Sequence, residues 1–274
     1  MPNNSILDSN DRYNPDSIVY DNVSNTDNII DPSTSVSKST EPSVLIFYGN
    51  GAELGDFSIY AESLKNELLS SYSDSNVQII KSFNRNELVN GLISCGLKNI
   101  KEIHIFSHSA GAGLFLGYHI ESYVIQREDF LYSNPNPTYE EVVDNEISAL
   151  LTDHLITTYS SIQIQIRALL KNVNFVKLWG CNAGVSNWHY DSTNPYWNAL
   201  NLKNTPKPSI AKCIATYIQK TVYGAKSGSH VEYKISGKWI SGFEYARKYK
   251  KPYPSDYESI RLHPDRGDYF KFAP

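Results

Sequence analysis

Residues 103–111 read IHIFSHSAG: a short apolar run that ends at His108 and gives way at once to Ser, Ala and Gly. A continuous apolar run closed by small residues is the pattern of a strand buried on both faces, and such strands belong to sheets covered by helices. Upstream, Val44-Leu45-Ile46-Phe47-Tyr48 repeats the pattern and is stopped by Gly49-Asn50-Gly51, and Val77-Gln78-Ile79-Ile80 is a second strand. Between those two, Ile59, Leu64, Leu68 and Leu69 recur at near-helical spacing from about Phe57 to Ser71. Asn84 or Asn86 then caps a second helix through Leu88, Leu92 and Ile93 to Cys95-Gly96. Strand–helix–strand–helix–strand with short links predicts an α/β fold, with a mostly parallel central sheet flanked by helices and joined by right-handed crossovers.

Downstream lies a long insertion, about 118–172. Residues 118–138 read as irregular, with Asn134-Pro135-Asn136-Pro137 as a stop, and about 139–170 as one long amphipathic helix marked by Ile147, Leu150, Leu151, Leu155, Ile162, Ile166 and Leu169. A fourth strand, 174–179, ends at Cys181. A polar, aromatic loop (186–208) leads to a helix over Ser209–Lys220, and Thr221-Val222-Tyr223-Gly224 is a fifth strand. From 232 the chain is rich in Tyr, Lys and Pro, with Trp239 and Phe243 as packing anchors. There is no internal repeat.

Residues 1–42 differ from the rest. They are dense in Asn, Ser, Asp and Thr, hold only Arg12 and Lys38 as cations and have no sustained periodicity. Such a segment buries too little apolar surface to offset its chain entropy, so a disordered N-terminal segment precedes a domain at 43–274. A translocation signal, or a peptide removed during maturation, fits the same composition.

Bulk properties exclude several classes. The 274 residues suit one large domain, and a hydrophobic share of 41% supports a sizeable core. A net charge of -4 leaves no footprint for nucleic acid. The three cysteines, Cys95, Cys181 and Cys213, match neither a disulfide framework nor a zinc pair, which suits a reducing compartment. No apolar stretch is long enough for a transmembrane segment, and the N-terminus lacks a secretory layout. A cytoplasmic protein, or one secreted without a cleaved signal, is the expectation. His104, His119, His154 and His189 have no metal-ligand spacing, so neither metal nor cofactor is expected. His104, inside a strand and on the same face as Phe106, reads as a packed histidine.

His108 and Cys181 each stand just past a predicted strand, the second in FVKLWGCNAG at 175–184. In open α/β sheets, ligands bind at the carboxyl ends of the strands. A thiol is mostly protonated at neutral pH and needs a nearby imidazole to become a nucleophile, so this pair is a candidate nucleophile and base. Cys95 and Cys213 lie in helices and read as inert core residues.

Both stretches resemble motifs of the caspase-like (clan CD) cysteine peptidases. IHIFSHSAGAGLFLG at 103–117 is similar to their histidine motif, an apolar strand ending in His with a Gly-containing turn and a closing Leu-Gly. FVKLWGCNAG is similar to the cysteine motif, an apolar strand ending in Gly-Cys. The layout matches over roughly 44–230 and is nearest to bacterial members, including self-processing domains of toxins. The resemblance implies a caspase-like sandwich acting as a cysteine endopeptidase on protein or peptide substrates, as an effector or toxin protease. His108 would be the base and Cys181 the nucleophile. The main-chain N–H groups of Ser109 and Cys181 would be the oxyanion donors, and Ser227, Gly228 and Ser229 would line the substrate pocket. Two departures stand out: Ser109 replaces the usual Gly after the histidine, and the insertion between the motifs is longer than in compact members. Only the Ser109 main chain has a role in this reading.

Two other readings stand beside it. Ser107-His108-Ser109-Ala110-Gly111 approximates the nucleophile elbow of α/β-hydrolases (lipases and esterases), with Ser109 as nucleophile, Asp191 and His230 or His263 completing a triad, and Gly49-Asn50-Gly51 as an oxyanion loop. A non-catalytic interaction module on the same fold is the third.

Overall fold

The computed structural model describes residues 41–51, 57–96, 99–117, 121–138, 141, 145–157, 160–186 and 208–274. The expected disordered segment therefore lies outside the described residues except for its last two. In chain order, strand β1 (Pro42–Tyr48), helix α1 (Ser58–Leu68), β2 (Val77–Lys81), α2 (Arg85–Ser94) and β3 (Asn99–Phe106) realise the alternation read from the sequence. Asn84 caps α2, its side chain accepting from the Glu87 N–H at 2.8 Å, while the Phe83 N–H donates to the Glu87 carboxylate at 2.6 Å. The hairpin β4 (His108–Ala110) and β5 (Gly113–Phe115) follows, then α3 (Glu121–Ser133), β6 (Ala149–Leu151), α4 (Thr152–Thr157), α5 (Ser160–Leu169) and β7 (Phe175–Leu178). The chain closes with α6 (Ile210–Ile218), β8 (Thr221–Gly224), β9 (Ser229–Ile235), β10 (Lys238–Ser241), α7 (Gly242–Tyr249), β11 (Ser259–Pro264) and β12 (Phe270–Phe272).

The central sheet has six strands in the order β12-β8-β7-β3-β1-β2. Five run parallel and β12 pairs antiparallel with β8, so the sheet is mixed but largely parallel. Alternation along the strands divides the core. Leu45, Phe47, Ile103, Ile105, Val176 and Leu178 pack under α2, α5 and α6. Val44, Ile46, Phe106 and Trp179 face the other way, against α1 and Leu262 of β11. Among the described helices none is long and apolar enough to cross a membrane.

The insertion departs from expectation. Residues 121–133, read as irregular, form α3; this segment has no apolar stripe to announce it. The single long helix expected over 139–170 is broken by strand β6, with α4 and α5 following it; 139–140, 142–144 and 158–159 lie outside the described residues. The β4–β5 hairpin has an open edge whose backbone groups need partners, and Ala149–Leu151, buried throughout, supply them by pairing with β5. Pairing overrode periodicity. In the C-terminal region, β10-β9-β11 form a second sheet. There Trp239 lies 4.1 Å from the Arg261 guanidinium, whereas Phe243, expected as an anchor, is 77% exposed.

His104 is packed as expected, inside a hydrogen-bonded chain. The Trp179 indole N–H donates to His104 Nδ1 at 3.2 Å, and His104 Nε2 then carries the proton toward Glu102 Oε2, also at 3.2 Å. Tyr72 donates its hydroxyl to Glu102 Oε1 at 2.9 Å. Burial pushes the His104 pKa below that of an ordinary imidazole, outweighing the neighbouring carboxylate, and an Nδ1 that accepts from Trp179 must be neutral. The unfolded chain protonates this imidazole below about pH 6.5 and the folded chain does not, so stability is lost as pH falls from there, by at most about 1.4 kcal/mol per pH unit. His104→Gln should thus be less stable at pH 7.5 yet lose less melting temperature between pH 7 and 5.5 than the wild type. Equal pH slopes in thermal melts would show that His104 is charged in the fold.

Candidate active site

Strands β3 and β7 are parallel neighbours in register, Ile103 with Val176 and Ile105 with Leu178, and the Trp179 N–H donates to Ile105 C=O at 2.9 Å. Residues 107–109 and 180–182 therefore leave the sheet side by side. Their contact is direct: the Ser109 hydroxyl donates to the Cys181 carbonyl at 2.7 Å. A Cβ on Gly180 would collide with the Ser109 hydroxyl and the Ser107 carbonyl, so glycine is required for this approach. On the hairpin, the two-residue turn Gly111-Ala112 makes Ala110 and Gly113 the hydrogen-bonded pair. Ser109, opposite Leu114, then falls at a non-hydrogen-bonded position, with its N–H turned away from β5.

The turn 181–184 is held from two further sides. Asn182 sits in the left-handed region at φ 55°, which Asn tolerates, and its N–H donates to Ser227 C=O at 2.8 Å. The Gly184 N–H donates to Ala225 C=O at 2.7 Å, and the Ala211 N–H of α6 to Ala183 C=O at 3.0 Å. Cys181 is half-buried and not in a disulfide. Cys95 and Cys213 are buried, as expected of core residues, and the Cys95 thiol donates to Gly91 C=O at 3.1 Å.

His108 lies between the ends of β1 and β3, where the strand order reverses. Its Nε2 is 3.3 Å from the Gly51 carbonyl, and its ring meets Phe57 edge-on at 5.2 Å. A carbonyl only accepts, so Nε2 carries the proton in this contact and Nδ1 is the basic nitrogen of the ring. Gly51 and Phe57 are site residues that sequence reading did not assign to the histidine; the Gly-Asn-Gly stop after β1 was the available signal.

Of the expected pocket residues, Ser227 and Gly228 border the Cys181 turn through the Asn182–Ser227 bond. Ser227 is fixed in turn, its hydroxyl accepting from the Arg266 N–H at 3.2 Å. Ser229 begins β9 with its hydroxyl buried. Tyr269, which sequence reading missed, packs edge-on against Trp179 at 5.4 Å and donates its hydroxyl to Leu262 C=O at 3.0 Å. Burial raises its pKa, and the proximity of Cys181 raises it further, so it stays a neutral phenol. Lys177, 3.7 Å from the Trp179 ring, is lowered to about 8 by burial.

The geometry at Ser109 does not match a nucleophile elbow. An elbow needs a strand–turn–helix with an exposed hydroxyl, whereas Ser109 runs into a hairpin, is 9% exposed and spends its hydroxyl on Cys181. Gly51 presents its carbonyl to His108 rather than an amide to a substrate. Asp191 lies outside the described residues, and His230 and His263 face one another in the second sheet. An apolar cavity of about 580 Å³, lined by Leu88, Ile105, Ile166, Val176, Ile214 and Tyr217, opens under α2, α5 and α6 and includes none of His108, Ser109 or Cys181. No family model, curated protein or solved structure matches the chain.

If the β3 and β7 ends touch as described, Gly180→Ala should cost about 1–3 kcal/mol by overpacking. Ser109→Ala should cost about 1 kcal/mol for the lost hydrogen bond. Urea denaturation measures both, and a Gly180→Ala protein as stable as wild type would mean the two segments stand further apart.

Proposed function

We propose that the chain is a cysteine endopeptidase of the caspase-like kind, with Cys181 as nucleophile and His108 as base. The observation that carries this reading is the joining of the β3 and β7 ends, through Ser109 and Gly180, at the carboxyl edge of a largely parallel sheet. His108 takes the thiol proton while the Gly51 carbonyl holds its ring. The thiolate attacks a peptide carbonyl, and the oxyanion accepts from the N–H groups of Ser109 and Cys181. Collapse expels the amine, which takes its proton from His108, and water then hydrolyses the thioester with His108 again as base. The loop at 225–228 flanks the substrate beside Cys181. The large apolar cavity takes no part.

Cys181→Ala and His108→Ala should each lower peptide-bond cleavage by about 10³-fold or more while keeping the fold. Iodoacetamide should label Cys181 at wild-type level only while His108 is present, as peptide mass spectrometry would read. Labelling of Ser109 by a fluorophosphonate, with full activity in Cys181→Ala, would move the assignment to a serine hydrolase. The Ser109 hydroxyl, expected from sequence to be idle, positions the Cys181 turn, so Ser109→Ala should reduce kcat without abolishing it.

The same reading implies self-processing of the N-terminal segment. A cut within it or at the junction near 37–43 fits this reading, and because Ser43 is buried in β1 and paired with Ile100 of β3, the cut falls before Pro42. Incubated wild-type protein should yield a new N-terminus there, and equal fragments from Cys181→Ala would trace the cut to another protease.

A further inference from the structure

The second sheet carries a cluster that the peptidase chemistry leaves unused. His230 and Glu232 stand two residues apart on one face of β9, and His263 of β11 is the cross-strand partner of His230. One donor atom from each of the three lies within 4.8 Å of the others, and all three side chains are half-buried. Two histidines and one carboxylate that converge from two strands make an unusual packing unit, because each needs a polar partner where the sheet would otherwise be apolar.

The outer atoms of all three groups are already engaged. His230 Nδ1 is 2.9 Å from Asp265 Oδ1, which sets its proton there and turns Nε2 inward. His263 Nδ1 is 3.0 Å from the Pro264 carbonyl, which accepts only, so its Nε2 also holds the lone pair. Glu232 gives Oε2 to Arg261, at 2.8 Å from Nε and 2.7 Å from Nη2, leaving Oε1 toward His230. His230 Nε2 and Glu232 Oε1 are 3.6 Å apart, long for a hydrogen bond. Two donors on one tetrahedral zinc, each about 2.0–2.1 Å from it, lie roughly 3.3 Å apart. Carboxylate and carbonyl partners behind each imidazole are the outer shell that fixes ligating histidines.

We propose that His230, Glu232 and His263 bind a divalent transition metal, zinc foremost, through Nε2, Oε1 and Nε2, with Asp265, Arg261 and the Pro264 carbonyl as orienting groups. Two histidines and a glutamate leave a fourth position for water. The ion cross-links β9 to β11. The proposal does not rest on the peptidase reading, since neither His108 nor Cys181 is a ligand.

The test uses the full chain, stripped with a chelator and titrated with zinc chloride and, separately, cobalt chloride. The expected result is one equivalent of zinc, a melting temperature that rises with free zinc, and cobalt d–d bands without a thiolate charge-transfer band. His263→Gln should lower zinc affinity by about 10²-fold or more and abolish the thermal shift while its metal-free far-ultraviolet circular dichroism matches wild type. Cys181→Ala should bind zinc as wild type does. His230→Gln serves as the second variant should His263→Gln not fold. Absence of zinc binding in the wild type overturns the proposal, as does wild-type affinity in both folded histidine variants. Loss of binding in Cys181→Ala, or a thiolate charge-transfer band with cobalt, overturns it too, because the metal would then sit on the cysteine.

Discussion

The arrangement at the carboxyl edge depends on how near the chain after β7 comes to the chain after β3. Two backbones can lie this close only if one of them lacks a Cβ, and Gly180 is that residue. The space it leaves is filled by the Ser109 side chain, whose hydroxyl reaches past it to the Cys181 carbonyl. The serine that follows His108 is therefore accommodated by Gly180, whose missing Cβ leaves room for it. The Ser109 N–H keeps its direction because the hairpin pairing, not the side chain, sets it.

The two faces of the sheet are built by different means. Under α2, α5 and α6 the packing is aliphatic, and an apolar cavity remains there. The face toward α1 and β11 is aromatic and polar. Phe106 and Trp179 stack at 5.1 Å, Tyr269 closes on Trp179, and His104 links the indole to Glu102 and Tyr72. Burying so many polar groups is tolerable because the Trp179 indole, the His104 imidazole and the Tyr72 hydroxyl each donate to an acceptor. The network also fixes the orientation of Trp179, two residues before the candidate nucleophile.

Much of the parallel sheet was legible because its signals are local. Apolar runs closed by Gly, helical spacing between them and an Asn cap are each written within a dozen residues, and β1 through β3, β7, α6 and β8 follow from them. The positions of His108 and Cys181 just past the apolar runs of β3 and β7 were visible for the same reason. The insertion was not. Leu150 and Leu151 suit a helix stripe and a buried strand equally, and only the open edge of the β4–β5 hairpin decides between them. Nor was the β9–β11 sheet, whose cross-strand pair His230 and His263 is distant in sequence and carries no spacing motif. Gly51 and Phe57 were seen as a stop and a helix start, because their contact with His108 exists only once β1 and β3 are side by side.

The turn at 181–184 is tied to three separate elements, and those ties bear on its chemistry. Ser109 holds the Cys181 carbonyl, the 225–228 loop receives the Asn182 and Gly184 amides, and α6 donates to Ala183. A left-handed Asn182 turns the chain sharply between the first two anchors. The Cys181 backbone is thus positioned by contacts that exist before any ligand arrives. On the proposed peptidase reading, donors fixed in advance need no reorganisation when charge develops. The 225–228 loop is in turn held by Asp265 and Arg266, whose N–H groups donate to Gly228 and Ser227. Asp265 is also the residue that orients His230. The Cys181 turn and the His230 cluster therefore share one intervening loop, and whatever rigidifies β11 near Asp265 also steadies the wall beside Cys181.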